Sequence, residues 1–415
     1  MAEPVAAAPP APPPSPFAAL RHRNFRLFYL GQSTSLIGTW MQSVASGWLI
    51  LQLTDSVFAV GLVAALSSLP VLLFTLPAGV YVDRANKHRV IVTCQSLMLI
   101  EATTLTVLTA THSVRAWQVG ALAAFTGCLA ALEIPARQSF IVELVGRDDL
   151  TNAIALNSSA YNVARILGPA AAGLLIAKVG MAVCFGLNAL SYLAVIAGLL
   201  AMRMPPYVRP VVEGHGLERL REGLSFARSD RRVWALIIMT AVFGIFGFPF
   251  VVLLPVFARD VLHVGSQGLG IMSAFVGIGA VLSALGLAAY NERVRRGVLV
   301  RWSGPIFGVA LAGFALARWY PLALLLLAIA GFTMVLNNAV TNTLLQGLVP
   351  DALRGRVMSL WVFVFVGFAP LGSFQAGWVG EYIGAPAAVA LGGAVSAAAS
   401  WYIWSRYAPE VPQLR

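Results

Sequence analysis

Residues 78–90 read AGVYVDRANKHRV and place a cluster of charged or titratable side chains between two long apolar runs. These side chains are Asp83, Arg84, Lys87, His88 and Arg89. Only 11% of the chain is charged, so the cluster needs an explanation. Two interpretations fit. The basic residues can simply anchor a loop on the cytoplasmic side of a membrane, or the loop can act as a gate.

The composition of the chain favours a membrane protein. Apolar residues make up 59% of it, against roughly 45–50% in an ordinary soluble domain, and the mean hydropathy is +0.80. Cys94, Cys128 and Cys184 lie in apolar stretches without metal-ligand spacing, so no metal or cofactor is predicted. The net charge of +11 is spread over short loops rather than one basic face with aromatics. Nucleic acid is therefore not a predicted partner.

Twelve segments are long and apolar enough to cross the hydrocarbon of a bilayer, which takes about 20 helical residues. We number them 1–12 and place them at 25–52, 57–82, 89–111, 115–136, 152–178, 181–202, 232–258, 266–290, 298–318, 320–343, 356–381 and 385–405. The mixed-charge stretch 203–231 divides them into two groups of six. We therefore predict a disordered proline-rich tail at 1–24, an N-terminal bundle at 25–202, a linker at 203–231, a C-terminal bundle at 232–406 and a tail at 407–415.

The basic residues predict how the chain is oriented. With a cytoplasmic N-terminus, 23 of the 28 lysines and arginines lie on the cytoplasmic side. The other side receives only Arg115, Lys178, Arg259 and Arg318, while Arg165 stays inside a segment. Because basic loops are retained in the cytoplasm, we expect both termini, the linker and the charged loop on that side of a bacterial plasma (inner) membrane.

An internal repeat supports the division into two halves. LGPAAAG at 167–173 aligns with LGSFQAG at 371–377, a shift of 204 residues. The LV pairs at 144–145 and 348–349 match at the same shift, and a shift of 207 sets Gly79 against Gly286. Parallel repeats related by an axis along the membrane normal occur in transporters, which bind substrate between the halves.

These features resemble the major facilitator superfamily, whose loop between helices 2 and 3 reads roughly G-x-x-x-D-R-x-G-R-[RK]. The position that is usually the second glycine is Asn86, a residue type that tolerates left-handed backbone. LIGTWMQSVASGWLILQLTDS, PARQSFIVELV, LNSSAYNVARILGPAAAG and VPDALRGRVMSL resemble the branch that contains the enterobactin exporter and macrolide efflux proteins. The resemblance covers nearly the whole chain after the proline-rich tail. It implies an all-α membrane fold of two pseudo-symmetric six-helix bundles.

The resemblance also implies a gate. It expects Asp83 and Lys87 to form a charge cluster with Glu133 of segment 4, about one turn from the cytoplasmic end of that segment. It places Asp83 near the N-terminus of segment 11, around Gly355, where free amide groups favour an anion. The loop would then latch the two halves together; a plain basic anchor is the alternative. The predicted gating residues are Gly79, Asp83, Arg84, Lys87, Glu133 and Arg137.

Two further charges, Glu101 and Arg165, lie deep inside segments 3 and 5, each about 20 Å from the cytoplasmic end of its segment. Intramembrane charges are costly and usually mark paired or functional groups. Arg165 is expected either to pair with Glu101 or backbone carbonyls, or to contact substrate. Glu101 is a candidate proton carrier. In segment 5, the Gly168–Pro169 pair predicts a bend and close packing, and the resemblance links the element formed by Gly168, Pro169 and Gly173 to exchange.

The resemblance further implies a substrate cavity lined by segments 1, 4, 7 and 10. Amides and aromatics in these segments suit an amphipathic ligand, since ligand pockets are largely apolar with a few orienting polar groups. Trp40 and Trp48 of segment 1 fit an interfacial belt as well as a pocket. The predicted contacts are Gln42, Phe246, Asn337, Asn338, Thr341 and Asn342.

The sequence thus predicts a secondary transporter and not an enzyme. Its expected function is proton-coupled export of an amphipathic small molecule, a drug or a siderophore-like metabolite, by a monomer in a lipid bilayer. No G-x-x-x-x-G-K-[ST] loop supports the use of ATP. An importer, a lysophospholipid flippase and a non-transporting membrane receptor on the same fold remain alternatives.

Overall fold

The computed structural model describes residues 17–204, 216–290 and 296–407, and these residues form helices and no β-strand. Twelve long helices run through them. We label them α1 Arg23–Thr54, α2 Val57–Arg84, α3 Lys87–Ala110, α4 Ala116–Val145, α5 Leu150–Val179, α6 Met181–Leu200, α7 Arg231–Val261, α8 Gly265–Tyr290, α9 Arg296–Leu316, α10 Tyr320–Leu348, α11 Asp351–Gly367 continuing as Ala369–Ile383, and α12 Ala385–Tyr407.

Ten of these helices are long and apolar enough to cross a membrane, judged by length and composition over the described residues. The other two are α1 and α9, which pack inside the same bundles. Helix α1 is less apolar because it carries many hydroxyl and amide side chains, among them Gln32, Thr39 and Gln42. The helix count is consistent with the predicted twelve spans.

Successive helices run in alternate directions, so their connections lie at two ends of the molecule. We call the end with the α2–α3, α4–α5 and α10–α11 connections, where α8 ends and α9 begins, the basic end. The opposite end carries the α1–α2, α3–α4, α5–α6, α7–α8, α9–α10 and α11–α12 connections. At the basic end, α2 and α3 are separated only by Ala85 and Asn86. Asn86 has φ −72° and accepts a hydrogen bond from the Arg89 N–H, so it caps α3 with an extended backbone.

The helices form two bundles of six. In the first, α1 packs on α5 and α6, α2 on α4, and α3 on α6. In the second, α9 packs on α10 and α12, and α8 packs on α10. The bundles meet mainly through two helix pairs, α5 with α8 and α2 with the 369–383 part of α11.

Glycines allow the two bundles to touch near the opposite end. A Cβ added to Gly173 of α5 would lie 2.7 Å from the Gly270 Cα of α8, and one added to Gly61 of α2 would lie 2.5 Å from the Gly377 Cα of α11. Real Cβ atoms do not approach so closely. The internal repeat aligns Gly173 with Gly377, so it places equivalent contacts on both sides of the pseudo-two-fold axis.

Cβ atoms added to glycines at the basic end would meet open space. A Cβ added to Gly79, Gly286 or Gly355 would meet no atom within 4 Å among the described residues. These glycines lie near the basic ends of α2, α8 and α11. The close glycine contacts between the bundles are therefore found at the opposite end and not at these basic-end positions.

Two predicted boundaries change. The tail does not extend to residue 24, because Ala18–Arg21 forms a 3-10 turn in which Ala18 and Ala19 are buried. The Ala19 N–H donates to Asn152 Oδ1 of α5 at 3.0 Å, which holds the turn on the bundle. Residues 1–16 and 408–415 lie outside the described residues. The linker contains a helix, Gly216–Ser229, whose Glu222 pairs with Arg356 of α11 at 2.6 Å.

The glycine contacts yield a test of this closure. We expect Gly270→Ala to push α5 and α8 apart, because its methyl would lie 2.7 Å from the Pro169 carbonyl oxygen. Overpacking of this kind costs about 1–3 kcal/mol, which disfavours the observed arrangement. Spin-label distances across the opposite end should lengthen. Gly120→Ala is the matched control, since its nearest neighbour would be Leu66 Cδ1 at 3.4 Å; equal distances in both variants would contradict the assignment.

Candidate functional site

A cavity of about 600 Å³ lies between the two bundles. Helices of both bundles line it, and most of its wall is apolar, with a few polar and charged side chains on the N-terminal side. Because the glycine contacts close the opposite end, we infer that the cavity is reached from the basic end. The structure places these predicted residues in its wall: Gln42, Glu101, Arg165, Pro169 and Asn338.

Glu101 is hydrogen-bonded to a chain of uncharged side chains. Its side chain is buried, and Gln42 Nε2 of α1 lies 3.2 and 3.1 Å from its two carboxylate oxygens. Gln42 Oε1 accepts in turn from Asn188 Nδ2 of α6 at 2.7 Å, and Asn188 also donates to the Tyr192 hydroxyl at 3.4 Å. Three helices thus hold one carboxyl group in the cavity wall without a neighbouring cation. Such a group can take up and release a proton without breaking an ion pair.

Arg165 of α5 lines the same cavity but does not pair with Glu101. Among the described residues the guanidinium has no hydrogen-bond or ion-pair partner, and its backbone carbonyl packs against Gly277 of α8. Of the two roles expected for Arg165, pairing with Glu101 is thus wrong in this arrangement. An unpaired guanidinium in a largely apolar cavity can bind an acidic group of a ligand.

The predicted element of α5, Gly168, Pro169 and Gly173, packs against neighbouring helices. Gly168 packs on α1, where an added Cβ would lie 2.5 Å from Trp40 Cβ. Pro169 lies inside the helix and lines the cavity. Gly173 makes the contact with α8 described above. One face of α5 thus contacts α1, the cavity and the other bundle within two turns.

The four polar residues of α10 that were predicted to contact substrate do not all line the cavity. Asn338 lines the cavity, whereas Asn337 is buried and donates to the Ser303 hydroxyl of α9 at 3.0 Å. Thr341 is also buried, and Asn342 accepts from Gln346 one turn further along α10. Thus only one of the four polar residues lines the cavity. Asn337 points about 100° away from Asn338, whereas Thr341 and Asn342 lie about one turn further along α10 toward the basic end.

Phe246 does not line the cavity, and its neighbour Phe248 does. The reason is the irregular course of α7, which changes to a π-helix at Phe243–Gly247 and to a 3-10 helix at Phe248–Leu253. The carbonyl of Phe246 faces Gly392 of α12 instead. Phe248 packs edge-on against Phe365 of α11, with ring centroids 5.6 Å apart, so this aromatic pair forms part of the C-terminal wall.

Sequence reasoning missed Asn188, Phe248 and Phe365. Asn188 had a usable signal, since a buried amide in an apolar segment is costly unless it is paired, the same criterion that selected the asparagines of segment 10. The glycines and proline of FGIFGFPF at 243–250 also signalled an irregular helix.

The loop residues at the basic end are not gathered into the predicted cluster. Lys87 forms an ion pair with Glu143 of α4 at 2.6 Å, and not with Glu133. Asp83 is exposed and has no hydrogen-bond or ion-pair partner among the described residues. With the basic end open, no contact joins Asp83 to the start of α11 in the described part of the chain.

Glu133 lies elsewhere because α4 is longer than predicted. Segment 4 was ended at residue 136, after Pro135, but the helix continues through that proline to Val145. Glu133 is therefore about 18 Å from the basic end, twelve residues at 1.5 Å each. It is buried and contacts Arg137, with Nε 3.7 Å from Oε1. The acid one turn from the helix end is Glu143.

Carboxylates close the opposite end across the two bundles. Glu381, near the end of α11, accepts from the Ser56 hydroxyl at 3.0 Å and from the Phe58 N–H at 2.8 Å, both at the start of α2. Asp55, after α1, pairs with Arg259 of α7, which also donates to the Leu51 carbonyl at 3.1 Å. An acid on the free amides of a helix N-terminus is a favourable contact.

Two pseudo-symmetric six-helix bundles around a central, largely apolar cavity define a membrane transporter of the major facilitator type. The chain belongs to the transmembrane secretion effector family of this superfamily, whose model matches residues 14–413. The predicted resemblance and fold are confirmed. The protein is a multi-pass membrane transporter of small molecules and not an enzyme.

Relatives of known role agree with this class. The chain is 28% identical to the multidrug efflux pump Tap of Mycolicibacterium fortuitum over 85% of this chain and 88% of that protein. It is 26% identical to the staphyloferrin A transporter of Staphylococcus aureus, covering 84% and 87%, and 26% identical to the enterobactin exporter EntS of Shigella flexneri, covering 82% and 81%.

A solved structure has the same fold. A bacterial homologue of the human lysosomal transporter Spinster, in its inward-facing and unoccupied conformation, superposes with a TM-score of 0.73 at 15% identity, covering 92% of this chain and 97% of that one.

The Glu381 contact can be tested directly. Glu381→Gln should weaken closure of the opposite end, because an amide oxygen is a poorer acceptor for the Phe58 amide than a carboxylate. A lost cap costs about 1 kcal/mol, so a few-fold shift in population is expected by spin-label distances between α2 and α11. Arg318→Gln is the control, since Arg318 lies at the same end and donates to carbonyls of its own helix end, those of Ala315 and Ala317. A control shift as large as that of Glu381→Gln would refute the latch.

Proposed function

We propose that this protein exports an amphipathic small molecule with an acidic group, a siderophore-like metabolite or a drug, in exchange for protons. It would do so as a monomer in the bacterial inner membrane, with the basic end and both termini in the cytoplasm. The observation that carries the proposal is the cavity wall, which presents a carboxyl without a cation, Glu101, and a guanidinium without an anion, Arg165. A proton can bind to Glu101, and the acidic group of a ligand can bind to Arg165.

The charges and the relatives support this choice of ligand. Arg165 suits a carboxylate or a catecholate, whereas the apolar wall with Phe248 and Phe365 suits the rest of an amphipathic molecule. Two of the relatives are named for siderophores and one for drugs. Export then follows if the ligand enters from the basic end, where the cavity is open here.

Alternating access would work by two sets of latches. In the arrangement described, Glu381 and the glycine pairs hold the opposite end closed. In the reverse arrangement, we infer that Asp83 at the end of α2 binds the start of α11, with Gly79, Arg84 and Gly355 at the same closure. Glu381 and Asp83 would thus both join α2 to α11, at opposite ends of these helices. Each contact would form in the arrangement in which the other is broken.

Proton coupling can be tested with Glu101→Gln. The amide still accepts from Gln42 but carries no titratable proton, so we expect uphill export driven by a pH gradient to fall at least about tenfold while downhill exchange of substrate persists. Proteoliposomes with an imposed pH gradient would measure both. Asp148→Asn, which alters an exposed acid between α4 and α5, should export normally. Full gradient-driven export by Glu101→Gln would remove Glu101 as the carrier.

The same proteoliposomes would identify the substrate. Catecholate siderophores, macrolides and lysophospholipids should be compared at equal concentration, with the pH inside the vesicles recorded. Proton movement with a siderophore or a macrolide supports the exporter. Movement of lysophospholipid alone would indicate a flippase, and binding without transport of any class would indicate a receptor.

The latch at the basic end predicts a separate defect. Asp83→Asn should reduce transport by about two- to thirtyfold, because losing a charge–helix contact costs roughly 0.3–1 kcal/mol, up to about 2 kcal/mol when partly buried. Membrane abundance should stay unchanged, since Asp83 has no partner in the present arrangement. Transport rate and quantitative blotting of the membrane fraction measure the two. Unchanged transport would leave the loop as a basic anchor only.

A further inference from the structure

A second group of interacting side chains lies on the outside of the C-terminal bundle. The guanidinium carbon of Arg301 in α9 is 5.5 Å from the Trp302 ring centroid, 6.0 Å from that of Trp401 and 5.7 Å from that of Trp404 in α12. We call these four residues the Trp box. One cation surrounded by three indoles from two helices is more than a chance contact, since cation–π pairs usually involve a single ring.

The Trp box is separate from the transport cavity, which none of its residues lines. Trp302 is 48% and Trp401 51% exposed, on helices whose outer faces meet lipid in a multi-pass membrane protein. The box lies near the basic end, since Arg301 follows the start of α9 by five residues and Trp404 precedes the end of α12 by three. Tryptophans at this depth lie at the headgroup level of the bilayer.

The guanidinium in the box lacks an acceptor. Arg301 Nε is buried without a hydrogen-bond partner, and no described residue accepts from the other nitrogens of Arg301. The ring faces attract the positive charge, but they do not take the N–H hydrogens, which lie in the guanidinium plane. Buried donors are nearly always satisfied. The guanidinium therefore has donors without an acceptor among the described residues.

We propose that the Trp box binds the phosphate of an anionic phospholipid in the leaflet at the basic end. A phosphate matches the planar fork of arginine with two parallel hydrogen bonds. Lipid is the natural source because the site faces the bilayer at headgroup depth. The surroundings favour an anionic lipid over a zwitterionic one. Arg406 is exposed and follows Trp404 by two residues, so a second cation lies at the same end of α12.

A bound lipid would also connect two helices. Arg301 belongs to α9 and two of the indoles to α12, so a phosphate on the guanidinium holds the cation against both helices. The site is thus a lipid-dependent clamp at the outer edge of the C-terminal bundle, and it is independent of the substrate and of the proton site.

The test is native mass spectrometry of the full-length protein in detergent, with phosphatidylglycerol and phosphatidylcholine added at equal concentration. The wild type should retain phosphatidylglycerol preferentially, and Arg301→Gln should lower the bound fraction about fivefold or more, as expected for loss of a charge-assisted bidentate contact. Arg228→Gln is the matched control, because Arg228 lies over one indole only, that of Trp234, on the linker helix. Equal retention by Arg301→Gln and the wild type would overturn the proposal.

Three further measurements distinguish lipid binding from other causes of a lower bound fraction. Arg301→Lys retains the charge but not the fork, so it should bind less than the wild type and more than Arg301→Gln if the variants are equally folded by circular dichroism. Inorganic phosphate in excess should not displace the lipid. Displacement by phosphate would show a site for free phosphate and contradict a lipid site. Quenching of tryptophan emission by brominated phosphatidylglycerol should fall in Arg301→Gln, and unchanged quenching counts against the proposal.

Discussion

The arrangement of the whole molecule depends on two places where the backbones of its halves meet without side chains between them. Gly173 lies on Gly270, and Gly61 lies on Gly377, at distances that exclude a methyl group. Helices in lipid gain little from hydrophobic association, so close packing of small residues and hydrogen bonds hold them together. The glycine pairs close the opposite end, and the carboxylate contacts of Glu381 and Asp55 add to them. The cavity and its opening follow from this closure.

The cavity explains why one spanning helix is so polar. A side chain facing lipid must be apolar, whereas one facing a water-filled cavity need not be. Helix α1 places Thr39 and Gln42 on the cavity, and Gln42 links Glu101 of α3 to Asn188 of α6. The polar groups of three helices are thus satisfied by one another around a single carboxyl. Arg165 is the exception, since it lines the cavity without a hydrogen-bond or ion-pair partner among the described residues.

The predicted charge cluster was wrong because the end of segment 4 was placed too early. Proline usually interrupts a helix, and ending segment 4 near Pro135 placed Glu133 beside the loop. In the structure the chain continues for ten residues beyond Pro135, so Glu143 takes that place and pairs with Lys87. A similar effect moved Phe246 off the cavity, because the π-helical turn in α7 changes the direction of every later side chain. A one-residue change of register decides such contacts, and no local pattern reports it.

The sequence alone determined the class of the protein. The number of apolar spans, the interruption at 203–231, the repeat at a shift of 204 residues and the loop motif at 78–90 follow from composition and spacing, since the bilayer imposes its length and polarity on each helix separately. The same polarity rule found Glu101 and Arg165. Only the tertiary structure decided that these two groups stay apart, that Gln42 and not Arg165 serves Glu101, and which end is closed. Those facts depend on the rotation and contact of helices far apart in the chain, which a bilayer does not specify.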